Sequence, residues 1–259
     1  MCFGNSADAQ SLNEDQFARL AGAQILLLGE AHDNPAHHRV QVKIVTRLAP
    51  SAVVYEMLTA DQAEAVVPSI LQNEADLEVA LGWEGSGWPD FSFYYPIFRA
   101  APEALVFGAE VPRDVAKTSM EQGLVAAFGP EAALYGLTES LPENEQAARE
   151  ALQMSAHCNA LPEELLPAMV DIQRLRDARL SQVALDALET SGGPVVVITG
   201  NGHARADWGV PAIIARVRPE VRVMTVGQGE AGTAPSGVFD IVTDAPTVER
   251  EDPCAVFAK

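Results

Sequence analysis

Three cysteines, Cys2, Cys158 and Cys254, are all that the 259-residue chain contains, and no two form a C-x-x-C pair. An odd, scattered count argues against a disulfide framework and against a structural zinc site. No stretch reaches the roughly 18 consecutive apolar residues that a membrane-spanning helix requires. Basic residues are scarce, 17 Lys and Arg against 36 Asp and Glu, for a formal charge of -19. Such a surface repels phosphate backbones and anionic headgroups, which excludes nucleic acid and membrane-surface partners. There is no internal repeat, no low-complexity tract and no linker, so residues 1–259 read as one domain with a core at about 24–245. The first ten residues, MCFGNSADAQ, lack the charged and apolar regions of a signal peptide. Two expectations stand for Cys2: a chance cysteine in a cytoplasmic protein, or the lipid-anchored N-terminus left after removal of a leader.

What is present is a regular alternation. Short β-branched runs at Gln24–Gly29, Ala52–Met57, Leu105–Ala109, Val195–Thr199, Val221–Val226 and Phe239–Val242 alternate with helical stretches. This is the pattern of an α/β fold, a central and mostly parallel sheet flanked by helices. Asn34 and Pro35 start a first helix that ends before Pro50, and a long helix follows Pro162 as far as Gly192-Gly193. Between the second and third strands lies an insertion with helical character at Asp61–Leu71 and an aromatic segment behind it. That segment holds Trp83, Trp88, Phe91, Phe93, Tyr94, Tyr95 and Phe98. It reads as a satellite core, or as an apolar wall over a flat ligand with a tyrosine for ferric iron.

The chemistry-bearing residues gather at strand ends. Gly29-Glu30-Ala31-His32 follows the first strand, Gly200-Asn201-Gly202-His203 follows the fourth, and Glu56 ends the second. Parallel sheets bind ligands beyond the carboxyl ends of their strands. Each histidine alone reads as a cap or a core residue, but the same spacing twice favours one shared site. His32, Glu56 and His203 are candidate ligands of a divalent metal, and Glu30 is a candidate general base. On the first helix His37 falls on the line of Ile44 and Leu48 and points inward as a ligand candidate, while His38 caps the stripe or faces solvent. Gln173 and Asp177 form a polar pair on the core-facing stripe of the long helix. They serve either as hydrogen-bond partners of a loop or as support for His32 or His203, with Asp177 a catalytic candidate. Arg39, Arg99 and Arg113 are available to pair with ligand carboxylates.

LLLGEAHDNPAHHRVQ, YEML, GAEVPRD, HC-x-x-LP, Q-x-x-RDA and VVVITGNGHARADWGVP together resemble the ChaN-like proteins of the Tiki and erythromycin-esterase superfamily. The resemblance runs in order from about residue 24 to about residue 226. It implies an α/β fold with a site around Glu30, His32, Glu56 and His203, and a haem-binding protein associated with iron uptake. It further implies haem held through Tyr and His side chains, with Tyr94, Tyr95, His37 and Arg113 the candidates here, plus a homodimer and a bacterial-envelope lipoprotein, which brings Cys2 into view. Members of the wider superfamily include metal-dependent peptidases and hydrolases. Three readings therefore stand: a haem-binding uptake protein, a metal-dependent hydrolase, and an interaction domain with a satisfied polar core.

Overall fold

The computed structural model describes residues 12–252 and 254, so Cys2 lies outside the described residues. They divide into two compact units, the chain up to Glu110 with Leu180–Val248, and Val111–Arg179 with the residues from Glu249 on. In the first unit, α1 (Glu14–Leu20), β1 (Ile25–Glu30), α2 (Pro35–Leu48) and β2 (Ala52–Tyr55) lead into the insertion. The insertion holds α3 (Ala60–Glu64), a 3-10 turn (Ile70–Gln72), α4 (Glu74–Leu81) and α5 (Phe91–Ala100), and β3 (Leu105–Gly108) follows. The second unit carries α6 (Arg113–Gln122), α7 (Leu124–Phe128), α8 (Glu143–Ala156) and the first turns of α9 (Leu166–Ser191). The chain then completes the first unit with β4 (Val195–Gly200), α10 (Asn201–Ala204), α11 (Val210–Val217), β5 (Val223–Glu230) and β6 (Ile241–Ala245).

All six strands are parallel, in the order β3-β2-β4-β1-β5-β6. Alternate residues of β1 feed opposite cores. Leu26 and Leu28 join Val53, Tyr55, Val196 and Ile198 beneath the aromatic residues of α5. Ile25 and Leu27 join Val54, Val195 and Val197 against Leu180, Ala184 and Ile214. Strands covered on both faces have no polar face to show, which is why they read as unbroken apolar runs. The chain moves outward from β1 to β2 and β3, then returns to insert β4 between β1 and β2 before leaving for β5 and β6. That reversal opens a crevice at the carboxyl ends of β1 and β4, where Gly29 pairs with Thr199 and Glu30 with Gly200.

Four expectations are corrected. The helix expected over Asp61–Leu71 stops at Glu64, and only a 3-10 turn resumes at Ile70, because Pro68 cannot donate within a helix. β5 runs on through the polar Gly227–Glu230, and β6 is Ile241–Ala245 rather than Phe239–Val242. The register Val226↔Ile241 to Glu230↔Ala245 supplies backbone partners that hydrophobicity does not announce. Cys158 and Cys254, 96 residues apart, form a disulfide within the second unit. Their scatter concealed it, since sequence distance carries no information about distance in space. Closing a loop of about 100 residues stabilises a fold by about 5 kcal/mol in the chain-entropy account of the unfolded state. Reduction is therefore expected to expose two further thiols and to lower the urea midpoint of the second unit.

The candidate carboxylate and histidine site

The crevice is built from the ends of β1, β2 and β4 and roofed by α2, α5 and the loop before α5. Its centre is Glu30, the last residue of β1, only 2% exposed. Glu30 Oε1 accepts from His32 Nδ1 at 2.7 Å and from the Tyr94 hydroxyl at 2.8 Å. Its Oε2 accepts from Gln41 Nε2 at 2.6 Å, and His38 Nδ1 stands 3.4 Å away. Burial works against the Glu30 carboxylate, but the hydrogen bond from His32 and the charges of His38 and His32 outweigh it and hold its pKa low.

A second pair lies alongside. Glu56 Oε2 accepts from Thr199 Oγ1 at 2.6 Å and from the Gly200 amide at 2.8 Å, and Oε1 faces His203 Nε2 at 3.5 Å. Burial again opposes ionisation, yet the charges of His203 and His32 with these two hydrogen bonds bring Glu56 down to about 2. Burial likewise disfavours a charged His32, but the Glu30 hydrogen bond and the charges of Glu56, Glu30 and Asp33 raise it to about 9. His32 is thus an imidazolium between two carboxylates. Its side chain remains 31% exposed, the ring standing edge-on to Trp88 with centroids 5.0 Å apart.

The glycines of the two motifs act by what they leave out. A Cβ on Gly29 would lie 2.5 Å from Asn201 Oδ1, and that amide is held in place by two hydrogen bonds with the backbone of Gln228. A Cβ on Gly200 would lie 3.0 Å from His32 Nε2 and 3.3 Å from Cε1. Nε2 makes no hydrogen bond to any described residue, so Gly200 keeps clear the one nitrogen of His32 that is not already engaged. The shared spacing hides different local structures: His32 sits in the turn before α2, and His203 in the single turn of α10.

Several expected roles change. His37 does point inward, but Nδ1 accepts from the Ala31 amide at 2.9 Å and Nε2 donates to Gly229 O at 3.1 Å. Both nitrogens serve the backbone, and burial lowers its pKa, so it is a neutral strut and not a ligand. His38, expected at the margin, is buried against Glu30 and donates through Nε2 to His32 O at 2.8 Å. Tyr94 gives its hydroxyl to Glu30, and burial with the Glu30 charge raises its pKa. Tyr95 donates to Leu71 O at 3.1 Å, so neither phenol is presented to a ligand. Glu30 takes three hydrogen bonds, from His32, Tyr94 and Gln41, and thereby holds the His32 ring in place.

The three expected metal donors, His32, Glu56 and His203, do come together, with His32 held by Glu30 and His203 facing Glu56. Among the described residues no three His, Cys, Asp or Glu side chains converge as metal ligands. Asp177, 2% exposed, pairs with Arg149 at 3.8 Å in the second unit, and Arg113 is exposed at the start of α6 in that unit. Asp177 and Arg113 lie in the second unit, and Glu30, His32, Glu56 and His203 in the first. Arg99 is spent on Leu71 O and Gln72. Gln41 and Thr199 went unanticipated. Gln41 follows His38 by three and His37 by four on one helix face, the periodicity that marks a third inward polar residue.

The family described as "Haem-binding uptake, Tiki superfamily, ChaN" matches residues 16–214. The chain belongs to this family. The structure described as "Cofacial heme binding to ChaN of Campylobacter jejuni" superposes with a TM-score of 0.68, covering 89% of this chain and 90% of that one at 22% identity. That likeness establishes the shared ChaN fold. A succinoglycan biosynthesis protein aligns at TM-score 0.49 and 13% identity over 87% of this chain and 73% of its own. An erythromycin esterase in its open conformation aligns at 0.46 and 15% identity, over 86% and 75%. No curated protein sequence matches the chain.

The linked charges predict a pH response. The His32 pKa is raised from 6.5 to about 9, so its contribution to stability is complete below pH 6.5 and is lost as pH rises through 9. Glu56 is lowered from 4.5 to about 2, so its contribution is complete above pH 4.5 and is lost as pH falls toward 2. NMR titration of the His32 ring should inflect near pH 9 in the free chain, and Glu30→Gln should return it toward 6.5.

Proposed function

We propose that this chain binds haem as the cargo of an iron-uptake system, with His32 the side chain that meets the iron. The observation that carries the reading is the His32 imidazole itself. Its Nδ1 is tied to a buried carboxylate, and its Nε2, which would release its proton to solvent as iron binds, is kept clear by a glycine. Histidines that ligate metals characteristically donate their second nitrogen to a carboxylate, which orients the ring and raises its basicity. Trp88 beside the ring adds the aromatic surface a porphyrin favours, and Arg39, exposed on α2, is a cation available to pair with a carboxylate. Membership of the haem-binding uptake family supports the same ligand, as does the haem named for the Campylobacter jejuni relative.

Two finer points belong to this proposal. A second copy of the chain would cover the open face of a bound porphyrin, so haem should promote a homodimer, read by sedimentation with and without hemin. A disulfide persists in oxidising compartments, and Cys158–Cys254 supports function in the bacterial envelope.

Hemin titration tests the core claim. The wild type should give a shifted Soret band that His32→Ala removes, with circular dichroism reporting that the variant is folded. Glu30→Gln should weaken binding about 10- to 100-fold by freeing the ring, while Tyr95→Phe leaves the band in place. A Soret band in His32→Ala indistinguishable from the wild type would overturn the assignment.

A further inference from the structure

A cavity of about 440 Å³ lies along β3, the edge strand, and shares no lining residue with the carboxylate and histidine site. Its walls are apolar: Val53 from β2, Ala63, Val66 and Leu71 from the insertion, and Val106 and Phe107 from β3. This is within the range of roughly 300–1,000 Å³ usual for small-molecule sites, and the mixture of apolar walls with few polar groups is equally usual.

One buried polar side chain stands among those walls. Tyr55, 1% exposed, lines the cavity with its ring stacked flat on Phe98, centroids 4.2 Å apart and planes 12° from parallel. Its hydroxyl makes no hydrogen bond to any described residue, whereas Tyr94 and Tyr95 both give theirs to protein acceptors. The hydroxyl is reached from the cavity rather than sealed in the core, so water or a ligand is left to take its proton. Burial alone raises its pKa well above the usual range, so it remains a neutral phenol with a proton to donate. The charged groups lining the cavity are two carboxylates, Glu64 and Glu103, both exposed. The chain as a whole carries a formal charge of -19.

We propose that this cavity is a second binding site, for a small amphiphilic amine. Its apolar body fills the space under Phe98, an acceptor takes the Tyr55 hydroxyl proton, and a cationic end meets Glu64 and Glu103. An anionic ligand is disfavoured by both carboxylates. A purely apolar one leaves the phenol unpartnered. Thr190, which also lines the space, offers a further neutral hydroxyl.

Calorimetry and amide chemical-shift mapping with three probes test the assignment: para-aminomethyl acetophenone, para-acetylbenzoate and benzylamine. The amino ketone should bind, with shifts at Val53, Tyr55, Ala63 and along β3. The acid should bind at least about tenfold more weakly, and benzylamine, which lacks the carbonyl, about five- to tenfold more weakly, the worth of one hydrogen bond. Tyr55→Phe keeps the stacked ring and should melt no lower than the wild type, since it removes an unpartnered hydroxyl. It should also erase the advantage of the ketone over benzylamine. Ala104→Phe, at a lining position, should block all three probes, with its melting curve reporting the fold. Equal binding of acid and amine, an unchanged ketone preference in Tyr55→Phe, shifts that map elsewhere, or no binding up to millimolar concentrations would each overturn the proposal. Hemin titration of Tyr55→Phe should match the wild type, because the two sites share no residue.

Discussion

A carboxylate buried at the end of a central strand is the constraint on which the site rests. Charge at the Glu30 position is tolerable only if donors surround it, and they arrive from three directions: His32 from the following turn, Gln41 from α2 and Tyr94 from α5. Removing any one leaves a buried charge short of a partner. The same contacts tie α2 and α5 to the end of β1, so the electrostatics of the site and the packing of its roof are a single arrangement. The tilt of the His32 ring follows from it, and so does the position of the one nitrogen left free.

Glu56 extends this logic across the sheet. Its two oxygens gather Thr199, Gly200 and His203 from the end of the neighbouring strand, and its charge adds to that of Glu30 in keeping His32 protonated. Two acidic residues at the ends of β1 and β2, the strands on either side of β4, would repel each other in an apolar crevice. The imidazolium between them offsets the repulsion. In an arrangement balanced in this way the histidines and carboxylates engage one another, and among the described residues no three converge as ligands of a bare metal.

The aromatic segment divides into two parts with separate work. Trp83, Phe91 and Tyr94 pack into the core, and Trp88 remains at the crevice beside His32. Phe98, at the far end of α5, instead stacks on Tyr55 and covers the cavity along β3. One amphipathic helix thereby serves two sites on the same face of the sheet. Three tyrosines differ by partner: Tyr94 and Tyr95 have acceptors of their own, and Tyr55 has none among the described residues.

Local sequence determined much of this molecule. The apolar runs announce parallel strands, Asn34-Pro35 starts α2, and Gly192-Gly193 ends α9, because caps and periodicity act within a few residues. Placement of Glu30, His32, Glu56 and His203 at strand ends is legible for the same reason. Tertiary structure alone decided what each residue does there. The inward direction of His37 follows from helical periodicity, but the Gly229 carbonyl that occupies it comes from a strand 192 residues away. The pairing of Cys158 with Cys254, the withdrawal of Tyr94 toward Glu30 and the Asp177–Arg149 pair are likewise contacts between distant segments. Hydrogen bonds and charges act over a few ångströms of space, and no local pattern encodes which distant atom will stand at that distance.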